Sequence, residues 1–189
     1  GEGARQVDAS VTDPAGNTST ATEQVTVDTV IPAAAITGGS SALTNNPTPT
    51  ITGTTDAPAG ANVTVTVSDQ TLTGPVAMDG TWSVTAAHIP DGAHRVIMTV
   101  NDAAGNPASA SQSLTVNTVA PVVMITGGAS ATTSSFNPTI SGSTDVTPGS
   151  TVTVTLAGRT LTTLVQLNGS WNATAMGVPA GPWTVVVTV

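Results

Sequence analysis

The sequence predicts an all-β fold built from tandem seven-strand β-sandwich repeats of about 89 residues each. Three observations predict it. Apolar and polar residues alternate in short runs, Gly, Pro, Asn and Asp separate these runs about every 8 to 12 positions, and the chain repeats itself at a fixed offset.

The internal repeat sets the domain organisation. Every match occurs at the same offset of 89 residues. The aligned pairs include Pro32 with Pro121, Gly53 with Gly142, Asp56 with Asp145, Trp82 with Trp171, and Ala15–Asn17 with Ala104–Asn106. Residues 1–28 are therefore predicted to be the C-terminal strands of one repeat, 29–117 a complete repeat, and 118–189 a repeat that lacks its last strand. A unit of this length can form its own core, so we expect each repeat to be a domain.

The first segment, 1–28, corresponds to the end of a repeat, which is the part that the last segment, 118–189, lacks. An isolated hairpin is marginally stable and an open sandwich exposes an unpaired edge. We therefore expect neighbouring repeats of the same chain or fibre, or strands exchanged between chains, to order both segments.

Seven strands are predicted in the complete repeat. In the run 62–67 each Val is followed or preceded by Thr, which predicts Val facing the core and Thr facing water. The prolines fall at predicted strand starts, edges or connections, and no helix is predicted. The predicted strands are Ala34–Thr37, Thr48–Gly53, Asn62–Ser68, Thr71–Ala77, Thr81–Thr85, Ala93–Val100 and Ala108–Val116.

The aromatic residues indicate packing. Trp82 and Trp171 are the aromatic residues repeated in register, and each is predicted to fill a core. The alternative is a tryptophan that stacks on carbohydrate. Trp183 and Phe136 stand in one repeat only and are interpreted as local packing or surface residues.

Composition excludes several functions. With 3 Lys plus Arg, a net charge of -8 and 2% aromatic residues, the chain lacks the cations and stacking rings of a nucleic-acid binder. No apolar run is long enough for a membrane helix, so membrane insertion is not predicted. There is no cysteine, and the two histidines, His88 and His94, lie in one repeat, so the sequence does not predict an enzyme.

The acidic residues suggest a metal site. In a seven-strand sandwich, the linker and three of the loops lie at the same end as the point where the chain enters. In the complete repeat those segments hold Asp28, Asp56, Asp79 and Asp102. Few cations are available to neutralise four carboxylates, whereas calcium takes six to eight oxygen ligands, so calcium is the predicted cofactor.

The segment 102–106 could contribute further ligands. Gly105 permits a tight turn that would present backbone carbonyls and Asn106 to the same ion, and Asp13 occupies the equivalent position in the first segment. The same sequence also makes an ordinary turn in which Asp binds its own backbone. At the second junction Asn117 replaces Asp28, and Asn168 replaces Asp79, so weaker calcium binding is predicted there.

Five short motifs of the chain resemble the bacterial immunoglobulin-like repeats of giant type I secreted and biofilm-associated surface adhesins. The motifs are Val27–Pro32, Ile36–Gly39, Gly80–Val84, Pro90–Gly92 and Asp102–Asn106. The resemblance covers the whole chain. It implies an extracellular rod on the bacterial cell surface, stiffened by calcium at domain junctions, that holds a terminal ligand-binding module away from the cell. It also implies that Asp28 and Asp102 are calcium ligands. The competing interpretation is a glycan- or ice-binding module, for which one continuous flat face of aligned Thr is expected; Thr spread over all faces favours a stalk.

Overall fold

The computed structural model describes residues 2–189, which form sixteen β-strands. Two compact units are present, one ending at Thr118 and the other comprising Val119–Val189. The part of the chain described contains no helix long and apolar enough to cross a membrane.

The first unit begins with a two-stranded hairpin. Strands β1 (Gly3–Thr12) and β2 (Thr18–Val27) pair antiparallel from Gly3 opposite Val27 to Thr12 opposite Thr18. All residues of both strands are exposed. The pair β9 (Gly92–Asn101) and β10 (Pro107–Val116) in the next repeat has the same register, shifted by 89 positions.

The complete repeat is a sandwich of two sheets, as the alternating pattern predicts. One sheet has the order β3 (Ala34–Ile36), β5 (Thr50–Thr55), β8 (Thr81–Thr85). The other has the order β4 (Ser41–Thr44), β10, β9, β6 (Asn62–Val67), β7 (Gln70–Pro75). Seven of these eight strands correspond to the predicted ones.

Strand β4 was not predicted. It pairs parallel with β10, and this pairing joins residues about 70 positions apart, which a local pattern cannot reveal. Gly38 and Gly39 have φ angles of 92° and 75°, so the chain leaves β3 sharply and crosses to the other sheet. The buried Gln112 side chain fixes this crossing by donating to the carbonyl oxygens of Thr37 and Gly39, both at 2.9 Å.

The core follows from the alternation of the strands. Val63, Val65 and Val67 on β6 are at most 1% exposed, and Trp82 is 2% exposed, so the structure confirms the tryptophan as a core residue. Threonines face outward from both sheets rather than from one. In the five-stranded sheet, for example, Thr73, Thr64 and Thr99 lie side by side on β7, β6 and β9, and β5 and β8 carry equivalent rows on the other face.

The second unit has the same two-sheet plan. One sheet has the order β11 (Val123–Ile125), β12 (Thr139–Thr144), β15 (Ser170–Thr174), and the other β14 (Arg159–Leu164), β13 (Thr151–Leu156), β16 (Val185–Thr188). Val154 pairs with Val187, the counterpart of Val65 with Met98 in the first unit. Trp171 is 1% exposed in the core, whereas Phe136 and Trp183 are 67% and 48% exposed.

Candidate functional site

The candidate site is the linker that joins the hairpin to the complete repeat. On the hairpin side, the carboxylate of Glu2 accepts a hydrogen bond from the Thr29 backbone N–H at 3.1 Å and a second from the Thr29 hydroxyl. The carboxylate of Asp28 accepts from the Val30 N–H at 3.1 Å. The linker is therefore held from the hairpin by a side chain that precedes β1.

The β9–β10 turn holds the linker from the other side. The side-chain nitrogen Nδ2 of Asn106 donates to the backbone oxygen of Asp28 at 3.1 Å and to Oδ2 of Asp102 at 2.8 Å. The other carboxylate oxygen of Asp102 accepts from the N–H groups of Ala104 at 2.9 Å and Asn106 at 2.8 Å. Gly105, with φ 94°, gives the turn its shape. The backbone oxygen of Asp28, the Asp102 carboxylate and the Asn106 side chain thus lie together at this junction.

Asp56 binds the end of the linker. Its Oδ1 accepts from the N–H of Ala33 at 2.6 Å, and the Thr55 hydroxyl donates to the Ala33 carbonyl oxygen, also at 2.6 Å. The same bond recurs in the second unit, where Asp145 accepts from the Val122 N–H at 2.8 Å. The role of Asp56 is therefore to fix the start of β3.

Asp79 stabilises the turn between β7 and β8. Its Oδ1 accepts from the N–H and hydroxyl of Thr81 at 3.0 and 2.7 Å. Asn168 makes the same pair of bonds with Ser170 in the second unit, at 3.1 and 2.7 Å. Because an uncharged amide makes the same contacts, this turn can form without a carboxylate charge.

Asp13 lies at the tip of the β1–β2 hairpin. It accepts from the N–H groups of Ala15 at 2.9 Å and Asn17 at 2.8 Å, and from the side chain of Asn17 at 2.8 Å. These are the contacts of Asp102 in the next repeat, without the bond to a linker carbonyl. Asp13 therefore makes the contacts of an ordinary turn, and its role as a metal ligand stays a prediction.

Hydrogen bonding lowers the pKa of three of these carboxyl groups. The largest cause is the side-chain bond from Asn17 for Asp13, from Thr81 for Asp79 and from Asn106 for the pKa of Asp102. Each bond favours the ionised form, so all three carboxylates are charged at neutral pH.

The four acids at the junction end do not form one carboxylate cluster. Over residues 2–189 no group of three or more His, Cys, Asp or Glu side chains is placed to hold a metal ion. The expected convergence of Asp28, Asp56, Asp79 and Asp102 is therefore wrong as a geometric prediction. Each carboxylate instead binds nearby backbone N–H groups, because these donors are only two to four residues away or in the adjacent linker.

A smaller set of oxygens does converge. The Asp28 backbone oxygen and Asp102 Oδ2 both lie within hydrogen-bond distance of the terminal amide of Asn106. Carbonyl and carboxylate oxygens are ligands that calcium takes in proteins, but the atom that faces both of them here is Nδ2 of Asn106, which donates hydrogen bonds and is not a calcium ligand. The amide of Asn106 would have to rotate to offer its oxygen to an ion at this place.

Two threonines of the site were missed by the sequence argument. Thr29 and Thr118 occupy equivalent linker positions, and each binds the acid that precedes a long strand, Glu2 or Asp91. The signal available in the sequence was an acid followed by Gly, with Thr 27 residues later, in both copies.

The side chain of His94 contacts the backbone of its own repeat. Nε2 of His94 lies 2.8 Å from the Pro90 carbonyl oxygen. In the second unit, the ring N–H of Trp183 donates to the Pro179 carbonyl at the same distance and at the equivalent position. Because indole nitrogen can only donate, the shared geometry assigns the N–H of His94 to Nε2 and a structural role to the ring.

The architecture defines a class of protein: tandem immunoglobulin-like β-sandwich domains joined by a hydrogen-bonded linker. Residues 31–118 match the family described as the bacterial Ig-like domain. This segment is therefore similar to that family, which the repeated motifs also resemble. No curated protein matches the sequence.

Solved structures provide a second comparison. A tetra-tandem repeat from the extending region of a large adhesion protein is 27% identical, with a TM-score of 0.43, over 94% of this chain and 49% of that one. A calcium-stabilised adhesin that helps an Antarctic bacterium bind ice is 27% identical, with a TM-score of 0.39, over 98% and 55%. A 1.5-MDa bacterial ice-binding adhesin is 25% identical, with a TM-score of 0.39, over 94% and 64%. The chain spans about half to two thirds of the length of these structures.

Proposed function

We propose that this chain is a structural extender segment of a bacterial surface adhesin and acts outside the cell as part of a stalk. The observation that carries the proposal is the linker, which receives side-chain bonds from both of the elements it joins: Glu2 on one side, and Asn106 and Asp56 on the other. A connection made only to allow movement would need none of these bonds. The partners of each repeat are then its neighbours in the same chain or fibre.

The distribution of threonine supports a stalk over a glycan- or ice-binding module. Both outer sheet faces of the complete repeat carry Thr rows, as expected where Thr serves as the general outward residue. No aromatic residue lines the 490 Å³ depression beside the β9–β10 turn, so a ring that could stack on sugar is missing there. We therefore prefer the structural role over the sugar-binding one.

We propose further that calcium stiffens the junction. Asp102 Oδ2, the backbone oxygen of Asp28 and, once its amide has rotated, the side-chain oxygen of Asn106 would hold the ion, with water completing the six to eight ligands. A bound calcium ion would connect the linker to the β9–β10 turn, because both segments would supply oxygen ligands to it. The donors come from two segments 74 positions apart (28 and 102), so the ion would cross-link the linker to the domain that follows it.

The expected stabilisation is modest. For a site with a dissociation constant of about 0.1 mM in about 1 mM calcium, linkage contributes about 1.4 kcal/mol. For a repeat of this size, that corresponds to a rise in melting temperature of about 6 to 11 °C. The larger effect should be on the freedom of the linker.

Calcium titration by calorimetry, with thermal melts in calcium and in chelator, tests this proposal. Binding heat and a higher melting temperature in calcium are expected for the native chain, and both should decrease in Asp102→Asn. Asp13→Asn is the matched control, because it alters an identical turn that has no linker contact. If the native chain shows neither heat nor a shift, or if both variants lose binding equally, the site is not at the junction.

A further inference from the structure

The first and second linkers share a contact that does not involve the proposed calcium ligands. Where the first linker has Glu2 with Thr29, the second has Asp91 with Thr118. The Asp91 carboxylate accepts from the Thr118 N–H at 3.0 Å and from its hydroxyl at 2.9 and 3.2 Å. We call this acid–threonine pair the exit clamp, because it lies where the chain leaves a repeat.

The geometry of the clamp follows from the strand pairing. Gly3 opposite Val27, and Gly92 opposite Val116, are the last pairs of their hairpins. The acid and the threonine lie just beyond these pairs, the acid one residue before the Gly and the threonine two residues after the Val. The two glycines have φ angles of 100° and 130°, a conformation that other residues rarely adopt. The backbone turn at the glycine allows the preceding acid to face the linker. The glycine and the acid are therefore both needed for the bond to the threonine.

The clamp differs from a surface contact between two flexible side chains. One carboxylate receives both a backbone N–H and a hydroxyl from the same threonine, so the backbone of the linker itself is held. Bonds to an ionised acceptor are stronger than neutral ones. The acceptor is Glu in one copy and Asp in the other, which shows that the contact survives a change in side-chain length.

We propose that the exit clamp fixes the direction in which the linker leaves each repeat without any metal ion. Calcium would then add to a junction that is already restrained. The proposed stalk role gives this inference its significance, but the clamp is a property of the chain alone and is tested in chelator, where the calcium proposal has no influence.

Spin-label distance measurements across the second linker test the clamp. The chain has no cysteine, so Thr73→Cys and Thr162→Cys place one label on an exposed strand of each unit. In chelator, Asp91→Ala should broaden the distance distribution, whereas Asp91→Asn, which keeps an oxygen acceptor, should broaden it less. Asp69→Ala removes an exposed carboxylate from the β6–β7 turn and is the control for loss of charge.

Amide hydrogen exchange gives a second measurement. Exchange at the Thr118 N–H should become about tenfold faster in Asp91→Ala, the loss expected for one charge-assisted hydrogen bond. Protection at the buried Val65 amide should not change, which verifies that the repeat remains folded. Thr118→Val, which removes the hydroxyl bonds alone, should broaden the label distances without altering the acid. The proposal is overturned if Asp91→Ala gives the same distances as Asp69→Ala, or if the unsubstituted chain in chelator is already as broad as Asp91→Ala.

Discussion

Replacing Gly53 with Ala should be among the most damaging single changes in the complete repeat. The glycine lies on β5 opposite Trp82 on β8, and the indole ring packs directly over its backbone. A Cβ added at Gly53 would lie 2.6 Å from Cε2 of the ring, and closer still to Cζ2 and to the Ala35 carbonyl oxygen. Since carbon atoms in good contact are about 3.5 to 4.0 Å apart, the ring and strand β3 would both have to move by about 1 Å or more.

The loss of stability in Gly53→Ala depends on which neighbouring groups can move. Ala35 O belongs to the backbone of β3, which is paired with β5, so it cannot shift without breaking that pairing. If the ring leaves its site instead, the loss approaches that of removing a buried Trp, about 3 to 5 kcal/mol. A repeat of this size has a total stability of about 5 to 13 kcal/mol, so the change removes a large part of it.

Native-state hydrogen exchange can measure this effect within one molecule. In Gly53→Ala, protection of the Val65 amide should fall by about a hundredfold or more, while the Val154 amide of the second unit serves as the unchanged reference. Thr54→Ala, at an exposed neighbouring position, is the control and should cost less than about 0.5 kcal/mol. If Gly53→Ala costs no more than this control, the ring does not pack as described.

Two other predictions concern the turns and the tryptophans. Because the pKa of Asp79 is lowered in the folded state by the Thr81 side chain, its contribution to stability is present above the ordinary aspartate pKa and is lost as the pH falls through the lowered value. Urea unfolding should therefore show Asp79→Asn slightly less stable than the native chain at neutral pH and equal to it in strong acid; a gap that persists in acid would contradict the assignment. Iodide should quench the fluorescence of Trp183 and leave Trp82 and Trp171 nearly unaffected, so that Trp183→Phe removes most of the quenching, whereas strong residual quenching in that variant would place a second ring in water.

Local alternation was sufficient to predict most of the fold. The run 62–67 forms β6 with its valines buried, because side chains alternate across a sheet and only one face meets the core. Local alternation did not predict strand β4, because Ser41–Thr44 becomes a strand only by pairing with β10 about 70 residues later. Its existence depends on the path of the chain after Gly38 and Gly39.

The candidate site was predictable in its location but not in its bonding. Topology alone places Asp28 and Asp102 at the same end of the repeat. It does not show that Asp79 will bind Thr81, or that Asp56 will bind Ala33, instead of facing a shared ion. Carboxylates bind the N–H groups within reach, and the distances to those groups depend on turn geometry that composition does not encode.

Both units keep their pairing register and turn bonds at one constant spacing, and this has a consequence for inheritance. If the genetic material recombines between two copies at equivalent positions, the product again contains whole domains with matched edges. Such an event would lengthen or shorten the polymer by complete modules while leaving each join chemically unchanged. The length of the repeat array could therefore vary between lineages by whole domains, without further mutations being needed to restore the contacts at each new junction.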